Sequence, residues 1–398
     1  HDSLFIFVRA NINPNSTTEP FLIEDAIIFS FNGKEQELPT TAFGRNAVYH
    51  LPDHSLTVAG NTLKYSIIHV SQWDHTKPHI IFGYAVVDED SVLNLTAGDE
   101  LYFANGASLW VYDGGSLRVH GDATRPVLFT GIRHDYQYRQ LPDQWLYVWL
   151  SGGSRNNSID WAVIENANCG LRVDTCVNQN PTLTISNTII RNHTLAGIVG
   201  QGAVIQGDNL LVYNCGAATL LLQAGGTYHF VNSTFADFWS YSGNNRRTTP
   251  SVILTNYHES NSVIYPRNLS VTLQNCIVWG NHYLNNKREE LQINQTDGAT
   301  MALDFDHCLL ATQLLDSISH PGKALLINYD PAFVDIGNND YRLLEKSPAI
   351  GAGSTTFLLH SYDLNNHARL NPPAIGCYEY ADTAAAATIR RNKNRHRG

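Results

Sequence analysis

Charge is scarce in this chain: Asp, Glu, Lys and Arg make up 16% of its 398 residues, against about a quarter in ordinary soluble domains. Methionine occurs once. With little charge, few long helical runs and plentiful Asn, Thr, Ser, Gly and aromatics, the composition excludes a helical bundle and favours an all-β chain. No apolar run is long enough to cross a bilayer. There is no Gly-rich phosphate loop, no His-Glu zinc helix and no Ser nucleophile elbow. The formal net charge is −10, although Arg390, Arg391, Lys393, Arg395 and Arg397 crowd the extreme C-terminus, so the body is more acidic still. Such a body excludes general nucleic-acid binding.

The six cysteines, Cys169, Cys176, Cys215, Cys276, Cys308 and Cys377, lack the short paired spacings of a zinc site, and Cys169 and Cys176 stand too far apart for a redox pair. Several fall in or beside repeat units, where a thiol behaves as a small apolar core residue. Buried free thiols are expected, with no metal and no cofactor. The chain opens at His1, as expected of a processed product whose signal peptide has been removed.

What is present is a repeat. IDWAVIEN, ISNTIIRN, GDNLLVYN and VNSTFADF follow one another from Ile159 to Phe238, with Trp161 and then Asn187, Asn209 and Asn232 at one position, the asparagines at steps of 22 and 23 residues. One such unit cannot bury its own apolar face and must stack on the next, which is the mark of a solenoid. An Asn at a sharp corner tolerates a left-handed backbone and bonds the amides of the coils above and below. After an insertion the copy VTLQNCIVWGN places Asn275 in that ladder, and LDFDHCLL places His307 there. Earlier, Asp113-Gly114 separates two alternating segments, with Leu109, Val111, Leu117 and Val119 on one face and Trp110, Tyr112, Arg118 and His120 on the other.

Four regions follow: a β-rich N-terminal cap at residues 1–79, a right-handed parallel β-helix at 80–338, a closing module at 339–380, and a flexible basic tail at 381–398. Phe21 to Gly33 ends on Asn-Gly and predicts a hairpin. The tail reads first as a solvated end, then as a ligand for acidic lipids or an acidic partner.

The phrases NDYRLLEKSPAIGAGS and DLNNHARLNPPAIGCYEY carry a family resemblance, through Tyr341, Ser347, Pro348, Ala349, Ile350, Gly353, Asp363, Arg369, Ile375, Gly376, Tyr378 and Glu379. They resemble the closing module of exported β-helix surface lipoproteins of Bacteroidetes, which share a pectate-lyase-like fold; Gly351, Asn366 and Cys377 depart from the pattern. The resemblance implies an outer-membrane, cell-surface location, tethered through a lipidated Cys upstream of His1. It also implies assembly with an outer-membrane β-barrel or other surface lipoproteins.

The leading functional expectation is a non-catalytic scaffold or binding subunit of such a complex. The alternative is a polysaccharide-binding or polysaccharide-degrading β-helix. For catalysis the candidates are Asp304 and Asp306, two apart on one strand face, set against the plainer reading of a solvated face. For binding they are Arg246 and Arg247 in the insertion, with Trp239, Tyr241, Tyr257, Trp145 and Trp149, aromatics of the kind that stack on sugars or anchor protein interfaces. Asn187, Asn209, Asn232, Asn275 and His307 are assigned to the structural ladder.

Overall fold

A computed structural model describes residues 21–58, 60–133, 138–175, 182–239, 247–315 and 323–381. Among these, three parallel sheets of eleven, ten and eight strands run along the body. The chain visits them in rotation. Glu100–Phe103 lies in the eleven-stranded sheet, Ser108–Val111 in the ten-stranded and Ser116–His120 in the eight-stranded, and Val127–Gly131 then returns to the first, beside Glu100–Phe103. Stacked coils of this kind make a parallel β-helix, the all-β solenoid that the repeat predicts.

Alternation decides which side chains enter the core. Leu109, Val111, Leu117 and Val119 are fully buried, whereas Trp110, Tyr112, Arg118 and His120 face outward. Parallel pairing then stacks equivalent positions into columns. One runs Ile185, Gly207, Phe230, Leu273, Phe305. Gly207 is there because a Cβ would come within 2.5 Å of the Phe230 ring. Five cysteines, Cys169, Cys215, Cys276, Cys308 and Cys377, are buried and unpaired as expected; Cys176 lies outside the described residues.

The corner residues Asn187, Asn209, Asn232, Asn275 and His307 all have positive φ, from 46° to 58°, and Trp161 shares the conformation at 55°. The ladder itself is broken. Asn209 Nδ2 donates to Asn187 Oδ1 at 2.7 Å and Asn275 Nδ2 to Asn232 Oδ1 at 3.0 Å, but Asn232 donates to Asp208 instead of Asn209. The Asn209 carbonyl is taken by Arg369 Nη2 at 2.7 Å. His307 keeps the corner backbone, yet its Nδ1 contacts Asp306 at 2.9 Å and its ring packs edge-on to Phe357. A second column stands five residues on: Asn166, Asn192 and Asn214, also at positive φ, with Asn214 donating to Asn192 at 2.6 Å and Asn192 to Asn166 at 3.3 Å.

At the N-terminus, Phe21–Phe31 and Lys34–Gly44 form the expected hairpin across Asn32-Gly33, both at positive φ. The helix begins earlier than residue 80. Val48–His50 already pairs with His79–Ile81, and Asn61–Ile67 with Tyr84–Val87, both parallel. The proline-bearing loops near Pro52 and Pro78 are turns of the first coil. His54–Val58 folds antiparallel onto Asn61–Ile67 as the last strand of the ten-stranded sheet, so the edge at that end is made by a hairpin.

The C-terminal module lies along the flank. Tyr341, Leu343, Ala349, Leu364, Ile375 and Cys377 form a second core against outward residues of the eleven-stranded sheet, among them Leu211, Tyr213, Ile277 and Trp279. Its polar motif residues are internal braces. Asp363 is fully buried and accepts from the backbone N–H groups of Asn365, His367 and Glu379, and Glu379 accepts from Ala374 N. Asn366 fits its turn because it adopts φ 62°, a conformation Asn tolerates. His360 contacts the Asp208 carboxylate, joining the module to the eight-stranded sheet.

Two measurements check this account. Asn209→Ala forces Ala into a left-handed corner, at a cost of about 1–2 kcal/mol, and leaves the Arg369 donor without its partner. The chemical unfolding midpoint is expected to fall, and to fall less for Asn209→Gly. The Asp208 carboxylate raises the His360 pKa above its ordinary value of 6.5, against the effect of burial. The contact is therefore at full strength below pH 6.5 and is lost as pH rises through the higher folded value. Thermal midpoints at pH 6 and pH 9 are expected to differ more in the native chain than in His360→Gln; equal differences would deny the link.

Candidate functional site

A concave surface lies on the ten-stranded sheet. Ala196–Gln201, Ala218–Gln223 and Val252–Thr255 are adjacent parallel strands, and Gln201 pairs in register with Gln223. Their last residues, Gln201, Gln223 and Thr255, form the floor of a trough of about 740 Å³. One wall is a short hairpin, Tyr257–Ser260 against Val263–Pro266, turned by Asn261 and Ser262, both at positive φ. It contributes Tyr257, His258 and Glu259, with Arg267 just beyond it. Fully buried Asn256 anchors the base, donating to Thr296 O at 3.1 Å and accepting from Thr296 N at 2.7 Å, while Arg267 N bonds Asn256 O at 2.7 Å. The wall therefore stands on a braced root.

The side-chain amides of Gln201 and Gln223 make no hydrogen bond to any described residue. Thr255 Oγ1 accepts from Asn294 Nδ2 at 3.1 Å. The trough thus offers two unengaged amides one coil apart, a tyrosine, one carboxylate and one guanidinium. Glu259 is the sole carboxylate among its lining residues, whereas glycoside hydrolysis by the usual route needs two.

On neighbouring coils of the same sheet, outward aromatics form a stack. Trp110 and Trp149 are nearly parallel with centroids 4.7 Å apart, and the Arg172 guanidinium lies 4.9 Å over Trp149. Trp149 Nε1 donates to Asp174 at 2.7 Å, Trp110 Nε1 to Ser151 Oγ at 2.8 Å, and Arg172 pairs with Asp174 at 3.0 Å. Trp149 is outward as expected, but one ring face is covered by Trp110 and the other by Arg172. It offers an edge, and no open platform for a sugar.

The remaining candidates are dispersed. Trp145 is 1% exposed, stacks on Phe103 at 4.2 Å and donates to Glu165 O at 2.8 Å, and it is core. Trp239 is half-buried against Gly216. Arg246 and Tyr241 lie outside the described residues. Arg247, expected on an exposed loop, is buried between Asp237 at 3.1 Å and Glu290 at 2.6 Å, with all three side chains inaccessible to solvent. Glu290 also accepts from Ser251 N and His282 N, and Gly280 leaves room for the cluster, since a Cβ would lie 2.4 Å from a Glu290 oxygen. Burial holds both carboxyls above their ordinary range even though Arg247 pulls them down.

Asp304 and Asp306 do share an outward strand face, and both reach Lys323, at 2.6 and 3.5 Å. Asp306 also accepts from Ala324 N at 3.2 Å. Burial raises the Asp306 pKa, but this N–H, His307 and Lys323 together hold it below its ordinary value. Lys323 offsets one of the two carboxylate charges, the pair of aspartates lies on another sheet, and none of these residues lines the trough.

No family model matches the chain, and no curated protein matches it. Among solved structures, the crystal structure of pectate lyase Pel9A is similar over 78% of this chain and 90% of its own, at 11% identity and a TM-score of 0.31. Among the described residues no helix is long and apolar enough to cross a membrane, and no three His, Cys, Asp or Glu side chains converge to hold a metal ion.

Gln201 and Gln223 were within reach of sequence reading. They are one repeat apart, with the same step as Asn187 and Asn209, but Gln is common on any solvated strand. Arg247 is expected to act on stability alone. Arg247→Met leaves two buried carboxyls without their cation, a loss of about 3–5 kcal/mol readable in the chemical unfolding midpoint. A change below about 1 kcal/mol would mean that the cluster is solvated.

Proposed function

We propose that this protein is a non-catalytic glycan-binding β-helix that holds an extended, uncharged polysaccharide along the outer face of its ten-stranded sheet. The observation that carries the reading is the pair of unengaged carboxamides, Gln201 and Gln223, in register on the floor of a walled trough. Coils about 4.8 Å apart repeat the same donor and acceptor set at a spacing close to the advance of one sugar ring. Tyr257 adds apolar surface with a polar tip, which suits a sugar's mixed faces. Within the lining, Glu259 and Arg267 balance in charge, and the acidic body repels polyuronates. This favours neutral glycans.

Display on the outer-membrane surface, a lipid tether and assembly with a β-barrel belong to the same proposal through the C-terminal sequence resemblance. A glycan-binding subunit at the cell surface joins the two expectations of the sequence, scaffold and polysaccharide binder.

Affinity electrophoresis in gels containing neutral or uronate polysaccharides provides the test. Retardation by a neutral glycan is expected, with Gln223→Ala and Tyr257→Ala each weakening it about 5- to 10-fold, on the order of one lost hydrogen bond or contact. Trp149→Phe is expected to leave retardation unchanged. Release of shortened products, or retardation by uronates alone, would overturn the reading.

A further inference from the structure

The N-terminal hairpin is paired along all eleven residues of each strand, yet none of its described side chains enters any of the three cores, and no other described strand packs along it. A bare two-stranded hairpin is marginal in water unless something covers its apolar face. Alternation and register place Ile27, Phe29, Phe31 and Leu38 on one face. Phe29, Phe31 and Leu38 are 40%, 76% and 51% exposed. The reverse face carries Glu24, Glu35 and Glu37 around Ile28, and its acids suit water.

The charges on the apolar face are also ordered. Lys34 sits at the tip, opposite Phe31, and Asp25 sits six residues back toward the base. That separation is about 20 Å along a strand, so the two cannot pair within one copy. We propose that this face is the contact between two copies of the chain, packed hairpin on hairpin about a two-fold axis. The apolar strips then cover one another, and Lys34 of each copy faces Asp25 of the other. A two-fold contact requires a self-complementary patch, and one acid and one base at opposite ends of an apolar strip are the simplest such pattern. An anionic lipid surface fits poorly, since Asp25 lies on the apolar face and three glutamates lie behind it.

Sedimentation of the full chain over a dilution series tests the proposal. Twice the chain mass is expected at high concentration and the chain mass on dilution. Phe29→Ser with Phe31→Ser is expected to give the chain mass throughout, with the thermal midpoint of the body unchanged. Asp25→Lys alone and Lys34→Asp alone should each weaken the dimer roughly tenfold through like-charge opposition, and the two together should restore it. Chain mass at every concentration, a dimer that survives the double serine variant, or a double reversal that fails to restore association would each overturn the proposal. So would a monomer that sediments with liposomes through this hairpin.

Discussion

The left-handed corner is the constraint on which the rest of the molecule depends. Three parallel sheets built from strands of three to seven residues require the chain to change direction within a residue or two, far more abruptly than an ordinary parallel crossover. An L-residue enters that backbone at a cost of about 1–2 kcal/mol, repeated on coil after coil. Asparagine reduces the cost and adds side-chain bonds between coils, and two such columns, five residues apart, bracket the strands of the eleven-stranded sheet. With both corners fixed, register follows, and each inward position falls beneath its equivalent on the next coil. The trough is a consequence of this, since Gln201 and Gln223 line up because their coils do.

Charge in this low-charge chain is mostly spent locally. Arg172 with Asp174, Arg191 with Glu165, Arg342 with Asp340 and Lys323 with Asp304 are outward pairs, each of small net worth in water. The buried cluster of Arg247 differs in kind. It joins the end of one coil, at Asp237, to another two coils on, at Glu290, and pins the insertion between them to the body. The period fails there because extra chain has been inserted, and the pairing of strands on either side is nonetheless continuous.

How much of this was legible follows from what periodicity encodes. The Asn phrase announced the solenoid, alternation sorted Leu109 from Trp110, and Asn-Gly marked the first hairpin. The second Asn column was also visible, as the last letter of IEN, IRN and VYN. Partner choice was hidden. Nothing in the string shows that Arg369 takes the Asn209 carbonyl, that Arg247 turns inward, or that Trp145 points in while Trp149 points out. Those outcomes depend on contacts between residues far apart in sequence, and the insertion removes the register from which they could be counted. The trough was the least legible feature, because it arises from a hairpin leaning over a floor laid down by three separate coils.

Gly207 beneath Phe230 bears on how such a molecule can change over generations. The two share a column, and the bulk of one ring occupies the volume the other position gives up. Adjacent coils are therefore not interchangeable units. Duplicating the coil that holds Gly207 would set two glycines in succession and leave a hole, while duplicating the next would force one phenylalanine ring against another. Lengthening this protein by copying a coil thus requires simultaneous repair in its neighbour, whereas extra chain added at a corner disturbs no column. Growth sideways, through insertions, is the easier route, and the hairpin wall of the trough and the Arg247 anchor are insertions of that kind.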